Sequence, residues 1–315
     1  LEMPEKVQTL STKPIAKPFL DTLAFAIAGD GMFGREISYQ FQKNNFANLF
    51  SEFDKSVFEN KDISLINLEG PISDQDVEQQ RRPDNLIFNF SKQAVEALKY
   101  LKLTDVSLAN NHTFNKGKAG LETTRKILEV NHTGWFGDPN TNDSQSVLRK
   151  EVGEIKVSII VVNALNGTDG VNELVKQEKA ESRLVIIFPH WGNEYQTTHS
   201  SNQEKLAKEW IGAGADLIIG SHPHVVQDAQ IIDKKLVIYS LGNFVFDQYF
   251  SDETQTGLIV GGKITKEKLE LNLLPIQSIK FKPRIAKDDT RQKIIERICN
   301  NIQSYCDGDK ISILR

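Results

Sequence analysis

Three features that would assign the chain to a specialised class are missing from its sequence. No apolar run approaches the roughly 20 residues that a helix needs to cross a bilayer. Basic residues are not in excess, since the net charge is −4, and this argues against nucleic acid as a partner. Internal repeats are absent as well. The remaining composition, 39% apolar and 25% charged over 315 residues, is typical of a globular protein with a substantial core.

Cysteine is scarce. The two cysteines, Cys299 and Cys306, lie in the segment "ICNNIQSYC", which has the pattern of a C-terminal helix. On one helix they would sit two turns apart, too far for a disulfide without distortion. We therefore expect two reduced, partly buried thiols. A cysteine metal site would need further ligands nearby, and none are present.

The N-terminal segment also lacks an apolar core of signal-peptide type. Residues 1–20 are rich in Pro, Lys and Thr and predict a flexible lead, followed by a single domain over 21–315. The chain begins at Leu1, which leaves open a start at Met3 or the loss of a signal or anchor. We expect a cytoplasmic protein as the sequence stands, and one associated with the cell envelope if such a segment was removed. The oligomeric state is left open.

Buried strands alternate with helices along most of the chain, which predicts an α/β fold. We expect a helix over 35–58 and others at 91–102, 117–131 and 202–214. After residue 255 the pattern changes to an antiparallel pair of strands around a "KEK" turn, and then to a final helix over 288–306. The predicted parallel-type strands cover 22–30, 62–70, 105–112, 157–165, 183–192, 215–224 and 235–246.

Polar side chains end five of these strands, and the carboxyl ends of strands are where ligands bind in open α/β sheets. Each residue alone has a simpler interpretation, since Asp30 suits a turn and "NNH" suits a loop. Together they predict one crevice. The residues are Asp30, Asn67 and Glu69, Asn111 and His112, His190, and the pair His222 and His224. His132 and His199 have no such partners, and we expect them in surface loops.

The chemistry of this set indicates a metal site. Imidazole combined with carboxylate suits Zn, Mn or Fe, whereas an all-oxygen set would suit Mg or Ca. Six ligands exceed the four of a closed structural zinc site. They are enough for two ions that share a bridging carboxylate, which could clamp a phosphoryl group and activate water. We therefore predict one or two divalent metal ions.

Six motifs then carry a resemblance to a known family: "GDGMFGR", "NLEGPI", "SLANNH", "HWGNEY", "GADLIIGSHPHVVQ" and "YSLGNFVFDQ". Their order and spacing over about residues 22–260 resemble the CapA family of bacterial capsule and poly-γ-glutamate synthesis proteins, a branch of the calcineurin-like metallophosphatase superfamily. The resemblance implies a four-layer α/β/β/α sandwich with the metal site at the strand ends.

Carried over residue by residue, the resemblance implies that His112 is catalytic. It would protonate the leaving group or stabilise the transition state. The implied metal ligands are Asp30, Glu69, Asn111, His190, His222 and His224. Three residues depart from the superfamily pattern. Met32 stands where a ligating histidine is usual, Asn115 where an aspartate is frequent, and Glu69 where the bridging residue is an aspartate.

Further residues are candidates for substrate contacts. Arg35 could hold an anionic group through a bidentate contact, and the others are Asn67, Glu194, Tyr195, Asn243 and Phe244. The first functional hypothesis is a metal-dependent hydrolase of a phosphoester or γ-glutamyl amide. The second is an accessory protein that binds metal and an anionic polymer without turnover. Expected partners are an anionic small molecule or polymer and a capsule-synthesis complex, with no nucleic acid.

Overall fold

The computed structural model describes residues 21–74, 86–181 and 184–314, so the predicted lead at 1–20 lies outside them. Whether 21–315 form a single domain stays a prediction. No helix in the described part of the chain is both long and apolar enough to cross a bilayer. The helices are α1 Arg35–Asn44, α2 Phe46–Leu49, α3 Gln93–Tyr100, α4 Gly117–Val130, α5 Val171–Glu181, α6 Ser201–Ala213 and α7 Asp288–Cys299.

The strands form two sheets. The strands are β1 Leu23–Gly31, β2 Ile63–Leu68, β3 Asp105–Ser107, β4 Gly134–Phe136, β5 Val147–Val152, β6 Ile155–Asn163, β7 Leu184–His190, β8 Leu217–Ile219, β9 Ala229–Ile232, β10 Lys235–Ile238, β11 Asn243–Val245, β12 Thr256–Ile264, β13 Lys268–Ile279, β14 Lys282–Ile285, β15 Cys306–Asp307 and β16 Lys310–Leu314. The first sheet has the order β15-β16-β13-β12-β1-β2-β3-β4, with β11 beside the end of β1 and β14 beside β13; the second has the order β5-β6-β7-β8-β10-β9.

Strand direction explains where polar groups collect. In the first sheet β1, β2, β3 and β4 are parallel neighbours, and in the second β6, β7 and β8 are parallel neighbours. Their carboxyl ends therefore lie at one edge of each sheet. The antiparallel strands β12 and β13 complete the first sheet, as the "KEK" turn predicted.

Three apolar cores define four layers. In β1, Phe25 and Ile27 point into the core between the sheets, while Ala26 and Ala28 face the helices on the other side. This alternation is what a strand with two covered faces requires. Helices α1, α3 and α4 cover the first sheet, and α5 and α6 cover the second. The predicted α/β/β/α sandwich is confirmed.

Two predicted elements are wrong in their extent. The helix over 35–58 is broken after α1, where Asn45 adopts a left-handed backbone with φ of 59°. The strand over 235–246 is two strands in different sheets, because the chain turns at Gly242, where φ is 65°. Glycine tolerates that conformation and allows the crossing. Several elements were not predicted at all, among them β4, β5, β9, β14, β16 and α5.

The cysteine prediction is also wrong. Helix α7 ends at Cys299, and Cys306 begins the short strand β15. The Cα atoms of the two residues are therefore only 6.0 Å apart, and the cysteines form a disulfide. The spacing argument failed because it assumed that the helix continued through Asn300 and Asn301, two residues of low helix propensity.

Candidate metal centre

The predicted ligands come from both sheets and meet where the parallel strands end. From the first sheet, Asp30 lies near the end of β1, Glu69 follows β2, and Asn111 lies in the loop after β3. From the second sheet, His190 ends β7, and His222 and His224 follow β8. The side chains of Asp30 and Glu69 are fully buried. The structure therefore brings these residues into one place.

A close approach of two backbones fixes the position of Asp30. Its N–H donates to the carbonyl of Gly242 at 3.0 Å, and Asp30 pairs with Asn243 across β1 and β11. A side chain at the preceding residue, Gly29, would place its Cβ 1.9 Å from the same carbonyl oxygen. Only glycine therefore fits at position 29. Because Gly29 has no side chain, the chain at Gly242 can pass close to β1 and place β11 beside Asp30.

Asn67 lies at the centre of the buried polar network. Its amide nitrogen is 2.9 Å from Oδ1 of Asp30, 3.4 Å from Oε2 of Glu69 and 3.2 Å from Nδ1 of His190. Its amide oxygen accepts from Asn110 at 3.0 Å. Asn67 is thus placed to orient the carboxylates, and it does not line the cleft. Sequence reasoning missed Asn110, although the pair of asparagines in "ANNH" at a strand end was a signal.

The three histidines face the carboxylates from the second sheet. Nε2 of His190 lies 2.9 Å from Oδ1 of Asn111, and Nε2 of His224 lies 3.6 Å from Oε1 of Glu69. The backbone N–H of His222 donates to Oδ2 of Asp30 at 3.1 Å. His222 and His224 have left-handed φ values of 97° and 59°. Such backbone strain in non-glycine residues is typical of functional sites.

Burial controls the ionisation of the site. It raises the pKa of Glu69 well above its usual value, against the opposing effect of His224. Burial, together with neighbouring imidazoles, lowers the pKa of His190 well below its usual value and that of His222 to about 4. Burial also opposes the charge on His224, but Glu69 and Asp30 outweigh it and raise that pKa to about 9. Neutral imidazoles such as His190 and His222 are ready to bind a cation.

Two unsatisfied buried atoms indicate that these side chains are suited to bind a metal ion. Oε1 of Glu69 and Nδ1 of His222 are buried and have no hydrogen-bond partner among the described residues. Leaving such atoms unpaired costs about 1–3 kcal/mol each, and a bound cation would remove that cost. Two groups of potential ligands have their donor atoms within 4.8 Å of one another: Asp30, Glu69 and His190 form one, and Glu194, His222 and His224 form the other.

His112 stands beside these groups at the floor of the cleft. Its Nε2 is 3.8 Å from Oε1 of Glu69, and its ring stacks on Phe88 with 4.1 Å between the ring centres. Its Nδ1 lies 3.0 Å from Oδ1 of Asn115, an oxygen that also accepts the N–H of Phe88 at 2.7 Å. Nδ1 of His112 therefore carries the proton in the neutral ring. Nε2 is the nitrogen that can exchange a proton with the cleft.

A cleft of about 540 Å³ opens above the site. Arg35 lines it but is already bound in a bidentate pair with Asp247, and both side chains are buried. The rings of Phe88 and Phe246 flank the guanidinium at 5.0 Å and 5.8 Å. Glu194 and Tyr195 line the same cleft. Asp247 was not predicted, because nothing in "FDQ" identifies the partner of a residue 212 positions away.

Other candidates lie outside the cleft. Asn243 supports the site, since its Oδ1 is 3.1 Å from Nδ1 of His224. Phe244 packs in the core against Phe53 and Phe58. Met32 is also buried in the core, where its sulfur accepts the N–H of Gly34 at 3.1 Å.

Neither of the two remaining histidines joins the site. His132 is exposed at a turn, where its backbone φ is 58°. His199 is partly buried, and its Nδ1 lies 3.0 Å from Oδ1 of Asp228. The ring of His199 stacks on Tyr239, with the ring centres 3.9 Å apart. Sequence reasoning did not find this contact, because Asp228 and Tyr239 lie on other segments of the chain.

The chain matches a known protein family over most of its length. The model of the family described as "Bacterial capsule synthesis protein PGA_cap" matches residues 24–248. The chain belongs to this bacterial capsule synthesis family. The matched range includes every residue placed in the site above, and the resemblance inferred from the six motifs is confirmed.

Two curated members of the family are similar over most of the chain. The "Capsule biosynthesis protein CapA" of Bacillus anthracis is 28% identical over 80% of this chain. The "PGA biosynthesis protein CapA" of Bacillus subtilis (strain 168) is 26% identical over 88% of it. The matched regions span 66% and 77% of those two proteins, which are therefore longer than the region they share with this chain.

Among solved structures, a putative 5'-nucleotidase from Staphylococcus aureus in complex with α-ketoglutarate matches 91% of this chain and 59% of its own length. Its TM-score is 0.49 and its sequence identity is 13%.

Proposed function

We propose that the chain is a metal-dependent hydrolase that acts in capsule or poly-γ-glutamate synthesis and cleaves a phosphoester or a γ-glutamyl amide. The observation that carries the proposal is a pair of buried atoms without a hydrogen-bond partner among the described residues, Oε1 of Glu69 and Nδ1 of His222, one from each of the two groups of ligand-type side chains. A divalent ion held by such residues supplies Lewis acidity to a phosphoryl or carbonyl oxygen. The ligand chemistry suits Zn, Mn or Fe.

The chain's own residues would orient the metal ligands and transfer the proton. Asn67 holds the carboxylates of Asp30 and Glu69 in a fixed orientation through its amide nitrogen. His112, whose Nδ1 proton is fixed by Asn115, is free to accept or return a proton at Nε2. Burial lowers the pKa of His112, so the ring is neutral at pH 7 and begins as a proton acceptor.

The lining of the cleft favours a compact anionic group over a polyanion. Arg35 is the one Lys or Arg side chain among the described lining residues, and Asp247 already balances its charge. Leu86 and Phe250 stand at the rim with 64% of their surface exposed. A substrate with one anionic end at the metal centre and an apolar part on this rim would therefore fit better than a long acidic polymer.

The disulfide supports a location outside the reducing cytoplasm. Structural disulfides persist in oxidising compartments and are rare in cytosolic proteins. The relatives named above are capsule and PGA biosynthesis proteins. We therefore favour the cell envelope, and a capsule-synthesis complex as the setting in which the chain works.

Metal analysis combined with an activity assay tests the proposal. The purified chain, stripped with a chelator and reloaded with Mn²⁺ or Zn²⁺, should hydrolyse p-nitrophenyl phosphate or bis-p-nitrophenyl phosphate. His222→Ala should abolish that turnover and reduce bound metal. His132→Asn is the matched control, because His132 is exposed at a turn and asparagine tolerates its left-handed backbone.

The alternative function is a metal- and polymer-binding accessory protein without turnover. Retained metal with no hydrolysis of any phosphoester or γ-glutamyl amide would favour it over the hydrolase. Binding of poly-γ-glutamate, measured on the same metal-loaded sample, would then be the expected positive result.

A further inference from the structure

Glu194 occupies an unusual position for a residue of a surface loop. It follows β7 in the segment "HWGNEY", and its side chain is exposed at the cleft. Its carboxylate nevertheless groups with the buried imidazoles of His222 and His224, all three donor atoms lying within 4.8 Å of one another. An exposed carboxylate therefore stands on the open side of two buried nitrogen donors.

The backbone holds Glu194 in this place. The N–H of the next residue, Tyr195, donates to the carbonyl of Pro223 at 2.8 Å, and Pro223 lies between the two histidines. Tyr195 has a left-handed φ of 64°, and Gly192 has a φ of 88°. The loop is thus bent twice and tied to the segment that carries His222 and His224. The backbone that carries the Glu194 carboxylate is therefore held beside the two histidines, which is the kind of support that a metal site requires.

His222, a buried member of this group, has a ring nitrogen that a cation would satisfy. His222 is 5% exposed, and its Nδ1 has no hydrogen-bond partner among the described residues. Two imidazoles and one carboxylate are the protein ligands of open zinc sites, in which the fourth position is left for water or substrate. The open side here faces the cleft.

We propose that Glu194 is a direct metal ligand, which completes with His222 and His224 a divalent-cation site separate from the group of Asp30, Glu69 and His190. Sequence analysis had placed Glu194 among the substrate contacts. The inference rests on the metal centre of the proposed function, and it does not depend on turnover. Oε1 of Glu69 lies 3.6 Å from Nε2 of His224, so the two sites are neighbours.

Metal binding by the full chain, without any substrate, tests the inference. Wild type and Glu194→Gln are stripped with a chelator and titrated with Mn²⁺ or Zn²⁺ in a calorimeter. Bound metal is then counted by mass spectrometry after gel filtration. Glu194→Gln should lose one ion per chain or bind it at least about tenfold more weakly. Glu209→Gln is the control, since it removes an exposed helical carboxylate that pairs only loosely with Lys205 at 3.8 Å.

Two results would overturn the inference. One is unchanged stoichiometry and affinity in Glu194→Gln. The other is a crystal of the metal-loaded chain whose anomalous peak lies beyond the roughly 2.0–2.2 Å of a zinc–carboxylate bond from Glu194. Equal melting temperatures of the chelated proteins would show that the variant is folded. If the ion at His222 and His224 binds through Glu194 and neither an ester nor a γ-glutamyl amide is cleaved, the proposed hydrolase fails while this inference stands.

Discussion

Asn115 fixes the proton of His112, because its side-chain oxygen accepts the N–H of Phe88 at 2.7 Å and lies 3.0 Å from Nδ1 of the imidazole. The amide oxygen of Asn115 carries no hydrogen and can only accept, so the ring of His112 must supply the hydrogen between them. The arrangement leaves Nε2 of His112 unprotonated and turned toward Glu69.

Asn115→Leu should therefore release His112 from one tautomer. Nitrogen NMR of the metal-free protein should show the Nδ1–H form in wild type and a mixture in the variant. If the hydrolase proposal holds, kcat should fall by about 10- to 100-fold, as for other residues that orient catalytic histidines. Asn115→Asp should instead raise the pKa of His112, since a carboxylate favours the charged ring. An unchanged tautomer in Asn115→Leu would contradict this prediction.

Asp247→Ala should destabilise the fold substantially. The Asp247 carboxylate is bidentate to Arg35, and both side chains are at least 95% buried, being 5% and 4% exposed. Removal of the carboxylate leaves a buried guanidinium without its main counter-charge, and we expect a loss of about 3 kcal/mol in the free energy of unfolding. Urea denaturation measures it. Glu52→Ala, which breaks the exposed pair with Arg284, should cost under about 1 kcal/mol; equal losses in the two variants would refute the role given to burial.

Glu253 should make stability depend on pH. Arg297 at 2.8 Å and Lys293 at 2.6 Å lower the pKa of this carboxyl from 4.5 to about 2 in the folded chain. A depressed folded pKa contributes stability above the unfolded value, and that contribution is lost as the pH falls from about 4.5 toward 2. Glu253→Gln should therefore cost about 1 kcal/mol at pH 7 and nothing near pH 2. Glu267→Gln, which changes an exposed carboxylate, is the control and should leave the stability at pH 7 close to that of the wild type.

Loss of the disulfide should lower stability by about 2 kcal/mol, as expected for a bridge that closes a short loop in the unfolded chain. The Cys299–Cys306 bridge has a sequence separation of 7. Thermal unfolding of wild type with a reductant should match that of Cys306→Ser without it. The variant is its own control, because a reductant should leave its melting temperature unchanged. A wild-type protein indifferent to reductant would mean that the bridge does not form.

Much of the site could be predicted because buried strands read as apolar runs, and their first polar residues mark where the sheet ends. Asp30, Glu69, His190 and His222 follow from that pattern. The approach of Gly242 to Gly29 could not be predicted, since a strand that passes from one sheet to the other looks like a continuous run. Contacts between loops, such as Arg35 with Asp247, leave no local trace either.

The prediction of the fold from the sequence was limited for the same physical reason. Amphipathic periodicity places α6, but it cannot show that α1 ends at Asn44, where the following residue takes a left-handed conformation. The cysteine pair shows the same limit, because its distance depends on where a helix stops. Boundaries and pairings are decided by packing, and packing is not visible in a single segment.

Because the ligand-type side chains are divided between the two sheets, occupancy of the centre and docking of the sheets are linked equilibria. A chelator would weaken the interface between Asp30 on one sheet and His190 on the other, where Oδ1 and Nδ1 are 4.0 Å apart. Conversely, any strain that separates the layers would release the ion before the helices unfold. Binding of the cation would thus depend on intact packing of the two sheets, in addition to its role in the chemistry of the site.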